Sequence, residues 1–502
     1  MDPFMYRVHC AVGARKLEKL LEAGSGYEIS VQKGEKFEGI FIDTFENQLQ
    51  KASMLLILVG KILLLVDFKK GQLIEQATED DQWRFASELG DGPITSELVK
   101  ISKLRAFLPV AEVKFRVDQG LLLDDESKTR ARFRNVVFYN KKNIVSVGTT
   151  QYLRGYQKAH TDLIGLLKAF GAKNLLDMGD IYGSLGIDRQ PYNAKPLLPL
   201  QGEDSARQSA TTIVSTFITV ARVNEAGVMA DYDTEFLHDY RVSFRKVRSV
   251  LSLFKGVYSR EETVQLKAEF ASIMRITNRL RDLDVYLLER DNYFNLVPET
   301  SHKGLHELFS YLQKERKREL KKVTKNFKSG AYKKQQRELW SRFNKKNTLT
   351  SGPKADHHAK KFGSKLILKR YTQVCRIAGT IDADTADEVI HQLRINCKKL
   401  RYLIEFFTPL FPAGEIRNLI KALKKLQDNL GKFNDYSVQQ GFLRQIMQTE
   451  LPAFKEHELH VTEAIGALTA MLFRLQLKER NQVMKNFARF DSFETRALFK
   501  QL

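Results

Sequence analysis

HDYRVSFRKVR, residues 238–248, is the stretch from which the fold is read. On a helix, His238, Arg241, Arg245 and Arg248 fall within an arc of roughly 80° and stack along one face. Tyr240, Phe244, Val247, Leu251 and Phe254 take the other side, so the helix buries one stripe and presents a ladder of cations from the next. A second copy, HQLRINCKKLR at 391–401, sets His391, Arg394, Lys398 and Arg401 at the same spacing. A shift of 153 residues with no gap maps the first ladder onto the second. It also maps Lys246 onto Lys399, Phe254 onto Phe407, Arg279 onto Lys432 and Asp282 onto Asp435. The pattern predicts a duplicated helical unit, with two subdomains related by a pseudo-two-fold axis.

Outward from the ladders, residues 206–502 carry helical periodicity almost throughout. Helices are expected at 206–226, 235–258, 261–292 with a break near Arg281, 302–328, 332–344 and 359–379. Further ones are expected at 387–407, 415–430, 435–447 and 452–490, before a short tail. Gly330, Gly352-Pro353, Pro409 and Gly414 fall between them. Asp233 or Thr234 is placed to cap the first ladder helix, and Asp384 or Thr385 the second. Such lengths with short turns predict an all-α domain of two pseudo-symmetric helical bundles, with repeats at 206–350 and 359–502. Residues 173–205, rich in Gly and Pro, read as a linker.

Residues 5–172 read differently. MYRVHCAV alternates like a strand, and a short helix follows, ending at Gly24. Strand-like runs come at 27–32, 37–43, 54–59, 62–68, 113–117, 121–123, 130–139 and 144–147, with helices at 96–107 and 150–170. This is an α+β domain, an antiparallel sheet or barrel with helices on it.

The chain of 502 residues is 43% hydrophobic and 28% charged, the balance of a soluble globular protein. Its net charge of +21 is uneven: residues 1–202 carry +3 and residues 203–502 carry +18. An anionic partner is therefore expected for the later part. Three scattered cysteines, Cys10, Cys375 and Cys397, point to a reducing compartment, and no start resembles a secretion signal. The longest apolar run, 54–66, is interrupted by Gly60 and Lys61 and is too short to cross a bilayer. A cytoplasmic protein that makes no membrane contact is expected.

A solvated helix face is the ordinary explanation for basic side chains. Here one face carries only cations and His, and no acidic partner at i,i+4 lies within it. Such crowding costs self-repulsion unless an anion offsets it. Arg also suits forked contacts to phosphate oxygens, with Lys as a point charge. His238 and His391 sit near helix N-termini, which favour anions; structural histidine and phosphate donor both stand as readings. No second His or Cys lies at ligand spacing beside either, so neither a metal nor a cofactor is expected. Asp282, Asp284 and Asp435 fall where helix breaks are expected, as caps or braces for neighbouring arginines. Arg279, Arg281 and Lys432 lie beside them. Residues 311–346 hold 14 Lys and Arg against 3 Asp and Glu and extend the basic surface. Phe327, Tyr332, Trp340 and Phe343, interleaved there, also suit stacking on single-stranded bases.

The His-x-x-Arg-x-x-x-Arg-x-x-Arg ladder followed by Arg281-Asp282-Leu283-Asp284, and HQLRINCKKLRYLIEFF followed by Gly431-Lys432-Phe433-Asn434-Asp435, resemble the CHAD domain. That is a histidine-containing α-helical domain that binds inorganic polyphosphate, and the resemblance covers roughly residues 206–502. It implies two bundles facing each other across a basic groove or pore. The implied polyphosphate ligands are His238, Arg241, Arg245, Lys246, Arg248, Arg279, His391, Arg394, Lys398, Lys399, Arg401 and Lys432, with Asp282 and Asp435 as structural braces. It also implies a non-enzymatic role and a place on polyphosphate granules.

Residues 5–172 resemble the CYTH-type triphosphate-tunnel domains through FIDTFENQLQKASMLLILV and LLLDDESKTRARF. That family opens on a strand with Glu-x-Glu-x-Lys, whose carboxylates hold a catalytic metal. Here Tyr6, Val8 and Cys10 stand at those places, and Leu58 stands among residues expected to be basic. The resemblance thus implies a degenerate domain whose chemistry is lost, with a protein partner left unspecified. A nucleic-acid binder and a tripolyphosphatase acting through residues 5–172 are the competing expectations.

Overall fold

The computed structural model describes residues 4–21, 26–140, 143–174, 181–189, 192–345, 348–382 and 384–502. They divide into two compact units, Met1–Asn193 and Ala194–Leu502, the division falling inside the expected linker. Parts of that linker, 175–180 and 190–191, and the Gly24 helix end lie outside the described residues.

In the first unit the strands are β1 (Met5–Val8), β2 (Tyr27–Gln32), β3 (Lys36–Thr44), β4 (Met54–Val59), β5 (Ile62–Asp67) and β6 (Gln72–Ala77). They continue with β7 (Phe107–Asp124), β8 (Thr129–Asn140), β9 (Asn143–Gln151) and β10 (Lys173–Asn174). The helices are α1 (Ala14–Glu18), α2 (Gln48–Lys51), α3 (Pro93–Ile101), α4 (Gln157–Ala169) and α5 (Ile181–Ser184). All pairings are antiparallel, in the order β10-β1-β9-β8-β7-β3-β4-β5-β6, with β2 on the far part of β7. Alternation sends Phe41, Leu55, Ile57, Phe115, Phe138 and Val147 to an inner core, which Ile181, Tyr182 and Leu185 plug. Tyr6, Val8 and Phe133 face out beneath α4, and Leu56, Leu58 and Leu63 beneath α3. Cover on both faces explains the unbroken MLLILV of β4, which alternation alone would not produce.

Several local expectations are corrected. The helix expected at 96–107 stops at Ile101, and Phe107 opens β7, because pairing with β3 outweighs local periodicity. The runs 113–117 and 121–123 are one strand of eighteen residues. Thr150 and Gln151 end β9, and α4 starts only at Gln157, past Gly155 at φ +90°. β6 gave no strand signal, since both its faces mix polar and apolar residues.

The second unit is helical: α6 (Ala206–Ala230), α7 (Thr234–Leu253), α8 (Arg260–Ile276), α9 (Asn278–Leu288), α10 (Arg290–Leu296), α11 (His302–Lys328) and α12 (Gly330–Asn344). The second repeat holds α13 (Ala359–Ala378), α14 (Asp387–Phe407), α15 (Ala413–Thr449), α16 (Glu458–Arg480), α17 (Val483–Phe490) and α18 (Phe493–Gln501). α6 is long and apolar enough to cross a membrane by composition, and half of that stretch is buried in the bundle. The expected gap between 430 and 435 is absent, because α15 runs straight through Gly431. The first repeat breaks one position earlier in register, at Thr277, the counterpart of Leu430. The helix expected at 452–490 is divided into α16 and α17.

The repeats do not segregate into separate cores. Leu305, Leu308, Phe309 and Leu312 of α11 share one cluster with Leu443 and Ile446 of α15 and Val461, Ile465 and Leu468 of α16. Gly304 makes that crossing close: a Cβ there would lie 2.0 Å from the carbonyl oxygen of His460. Residues linking the repeats are pinned to helix starts by bridges Ser205–His358 and Tyr258–Ser351.

Candidate anion-binding site

α7 begins where Asp233 accepts hydrogen bonds from the N–H groups of Glu235 and Phe236, the expected cap. The second expected cap is corrected: α14 starts at Asp387 after Ala386, which supplies no side-chain cap, and Thr385 bonds to Asp382 instead. Buried Tyr240, Phe244, Val247 and Leu251 seat α7, and Leu393, Cys397, Leu400 and Ile404 seat α14. Each helix is thereby held with its ladder off the core.

Repeat counterparts touch one another at several points. The rings of Phe254 and Phe407 stack at 5.2 Å with planes 9° apart. The Tyr286 hydroxyl donates to the carbonyl of Gln439 at 3.3 Å. Both pairs are separated by the repeat shift, and under two-fold symmetry only groups at the axis meet their own counterparts. Arg245 and Lys398 are also repeat counterparts, and their charges act on each other. Burial, then Arg394 and Arg245, push the Lys398 ammonium down to about 8. Arg394 is lowered by burial and also feels Arg245. The two ladders are therefore near enough for their charges to repel.

Among the described residues, neither Arg245 nor Lys398 forms an ion pair or a side-chain hydrogen bond. Their neighbours are better anchored. Arg241 donates to the Met274 carbonyl, Thr277 Oγ1 and Asn278 Oδ1 at 3.2, 2.8 and 2.9 Å, wedging its head into the α8–α9 break. Burial, then Arg245, lower it to about 10. Arg394 reaches Asp435 at 3.5 Å. Asp282, the counterpart of Asp435, is solvent-exposed, yet burial among surrounding protein raises its carboxyl against the pull of Arg241, Arg279 and Arg281. Nε of Arg241, Nε of Arg394 and Nη1 of Arg281 are buried donors without acceptors among the described residues. Such orphans are costly unless an acceptor arrives.

The two histidines are held at the same ring nitrogen by different partners. The Arg281 guanidinium lies 2.8 Å from His238 Nδ1, and Asn434 Oδ1 lies 2.7 Å from His391 Nδ1. Arg281 and Asn434 are themselves repeat counterparts. A guanidinium only donates, so His238 Nδ1 is the acceptor and its Nε2 carries the proton. Asn434 Nδ2 points to Asp435, so its oxygen accepts from His391 Nδ1–H. His391 therefore offers a second N–H only when protonated.

Other expected residues lie apart from this group. Lys246 is buried, 3.4 Å from Glu405 and 4.6 Å from the Phe217 ring. Arg401 pairs with Glu405 at 2.8 Å, which corrects the expectation that the ladder lacks an i,i+4 carboxylate. Lys399 stands among Arg370, Lys255 and Lys267. Arg248 is exposed, with Nη1 3.7 Å from Met274 Sδ, and Lys432 is exposed. Arg279 lies over the Phe442 ring at 4.8 Å. Asp284 braces Arg316 at 2.7 Å, and Arg316 also grips Asp231. Since α15 is unbroken, Asp435 caps nothing. Glu405 and the Thr277–Asn278 seat were not singled out from the sequence. Their only sequence signal is position, one helical turn from a ladder residue or at its repeat register.

Residues 212–444 match the family model described as the CHAD domain. No match is found among curated proteins. Among solved structures, the chain is similar to the crystal structure of the CHAD domain from the plant Ricinus communis, at 24% identity and a TM-score of 0.48, covering 63% of this chain and 98% of that one. It is also similar to PptA from Streptomyces chartreusis, at 14% identity and a TM-score of 0.43, covering 57% and 99%. PH1819 protein from Pyrococcus horikoshii OT3 matches at 10% identity and a TM-score of 0.19, covering 34% and 92%. The sheet of the first unit fits a CYTH-like fold.

Proposed function

We propose that the second unit, whose residues 212–444 match the CHAD domain family model, binds inorganic polyphosphate along its pseudo-two-fold axis without catalysing a reaction. The observation that carries this reading is the mutual charge interaction of Arg245, Lys398 and Arg394, with no carboxylate paired to the first two among the described residues. Two like charges brought together at reduced polarity repel, and the fold bears that cost. A polyanion reverses its sign. Arg241, Arg394 and Arg281 supply further N–H groups through their unpartnered nitrogens. Lys246, Lys399, Arg401 and Lys432 contribute charge at longer range, as do the cations of α11 and α12.

The test is a titration of labelled polyphosphates of several lengths against the full chain, with single-stranded RNA as competitor. Affinity that rises with phosphate chain length, falls steeply with salt and resists RNA is expected. Displacement of polyphosphate by RNA at equal phosphate content would instead establish a nucleic-acid binder. Phosphate release from tripolyphosphate with Mg²⁺ would overturn the non-enzymatic reading.

Binding should also depend on pH through Lys398. Its folded pKa of about 8 lies below the ordinary lysine value, so the free protein loses this charge as pH rises through about 8. A bound polyanion favours the charged form and draws a proton back. Affinity is therefore expected to fall several-fold from about pH 7 to about pH 9. Calorimetry near pH 8 in buffers of different ionisation enthalpy should register proton uptake, and Lys398→Arg should remove it.

A further inference from the structure

We propose that the first unit binds an organic anion with an apolar tail, in its simplest form a medium-chain carboxylate. Its curled sheet encloses a cavity of about 630 Å³, to which β1, β7, β8 and β9 contribute together with Val66, Phe68 and Leu73 from the opposite end of the sheet. That size suits a small organic ligand. Along β8 every second residue faces it, and these grade from polar to apolar: Arg132 and Arg134 are exposed, Val136 is half-buried and Phe138 is buried. From Arg134 to Phe138 the strand advances ~13 Å. Cross-strand neighbours are mostly polar beside the arginines and apolar beside Val136. Leu121 and Gln151 flank Arg132, Gln119 and Thr149 flank Arg134, and Val147 lies beside Val136.

Arg132 and Arg134 share one face of one strand, and neither forms an ion pair or a side-chain hydrogen bond among the described residues. No Asp or Glu is among the residues lining the cavity. β1 turns Met5, not a carboxylate, toward it, while Tyr6 and Val8 pack on the other face, Tyr6 donating to Asn135 Oδ1 at 2.5 Å. A metal-bridged phosphate chain would find two cations and no metal ligand there, with apolar wall along much of its length. A carboxylate gripped by the two guanidinium forks, its tail laid toward Val136, Phe68 and Phe138, satisfies both ends.

The test is calorimetric titration of the full chain carrying Arg245→Glu, so that the ladders do not compete, with decanoate, hexanoate, decanol and tripolyphosphate. Decanoate should bind with one site per chain and more tightly than hexanoate. Replacing the carboxylate by the hydroxyl of decanol, or both arginines by Gln (R132Q/R134Q), should weaken binding by about tenfold or more. If the double glutamine chain loses its fold, the ligand comparisons on the parent chain decide alone. Failure of decanoate to bind, indifference to the carboxylate or the tail, or displacement of decanoate by tripolyphosphate overturns the assignment.

Discussion

Arg245→Glu is expected to weaken polyphosphate binding by at least 100-fold while leaving the protein as stable as before, or more so. The substitution removes one cation and places an anion beside Lys398 and Arg394, where it forms an ion pair. Charge-assisted hydrogen bonds contribute about 1.5–3 kcal/mol each, and losing one while adding repulsion to the ligand exceeds ~3 kcal/mol, or roughly two decades of affinity. Relief of the Arg245–Lys398 repulsion acts on the free protein in the opposite direction. Binding measured by titration should therefore collapse as the melting temperature holds or rises. Arg241→Glu would be a poorer probe, because its guanidinium fastens the α8–α9 break. Unchanged polyphosphate affinity in Arg245→Glu would remove the axis from the binding site.

Phe407→Ala has the converse expectation, a large loss of stability with the ladders themselves untouched. Phe407 is 0% exposed, stacks on Phe254 and lies against Gly363, whose missing Cβ makes room for the ring. Truncating a buried Phe costs about 3–5 kcal/mol, on a total of about 5–15 kcal/mol for a typical domain. Denaturant unfolding should show the midpoint displaced accordingly. A loss below ~1 kcal/mol would mean that the neighbouring aromatics collapse into the space, and that the stack is dispensable. Together the two substitutions separate the charged and the aromatic pairs of one axis.

The periodicity of 238–248 and its copy at 391–401 was enough to place both ladder helices, because a buried stripe and a basic stripe on one helix leave little choice of orientation. The constant shift carried Phe254 to Phe407 and Arg245 to Lys398, but could not say that the two phenylalanines stack or that the two cations feel each other. Contact at an axis is a property of the assembled pair of repeats, not of either segment. Glu405 was missed for a related reason. Its counterpart is Ser252, so it belongs to one repeat only, and attention to shared positions passes over it. In the first unit, Phe107 was read as the end of a helix because local pattern does not record the pairing with Thr44 that makes it a strand.

Cores shared by α11, α15 and α16 have a consequence for how such a molecule arose and how it comes apart. Once helices of one half were buried in the other, neither half kept a complete interior of its own. The duplicated halves are thus expected to melt together, and cutting the segment that joins them is expected to leave two pieces still clasped.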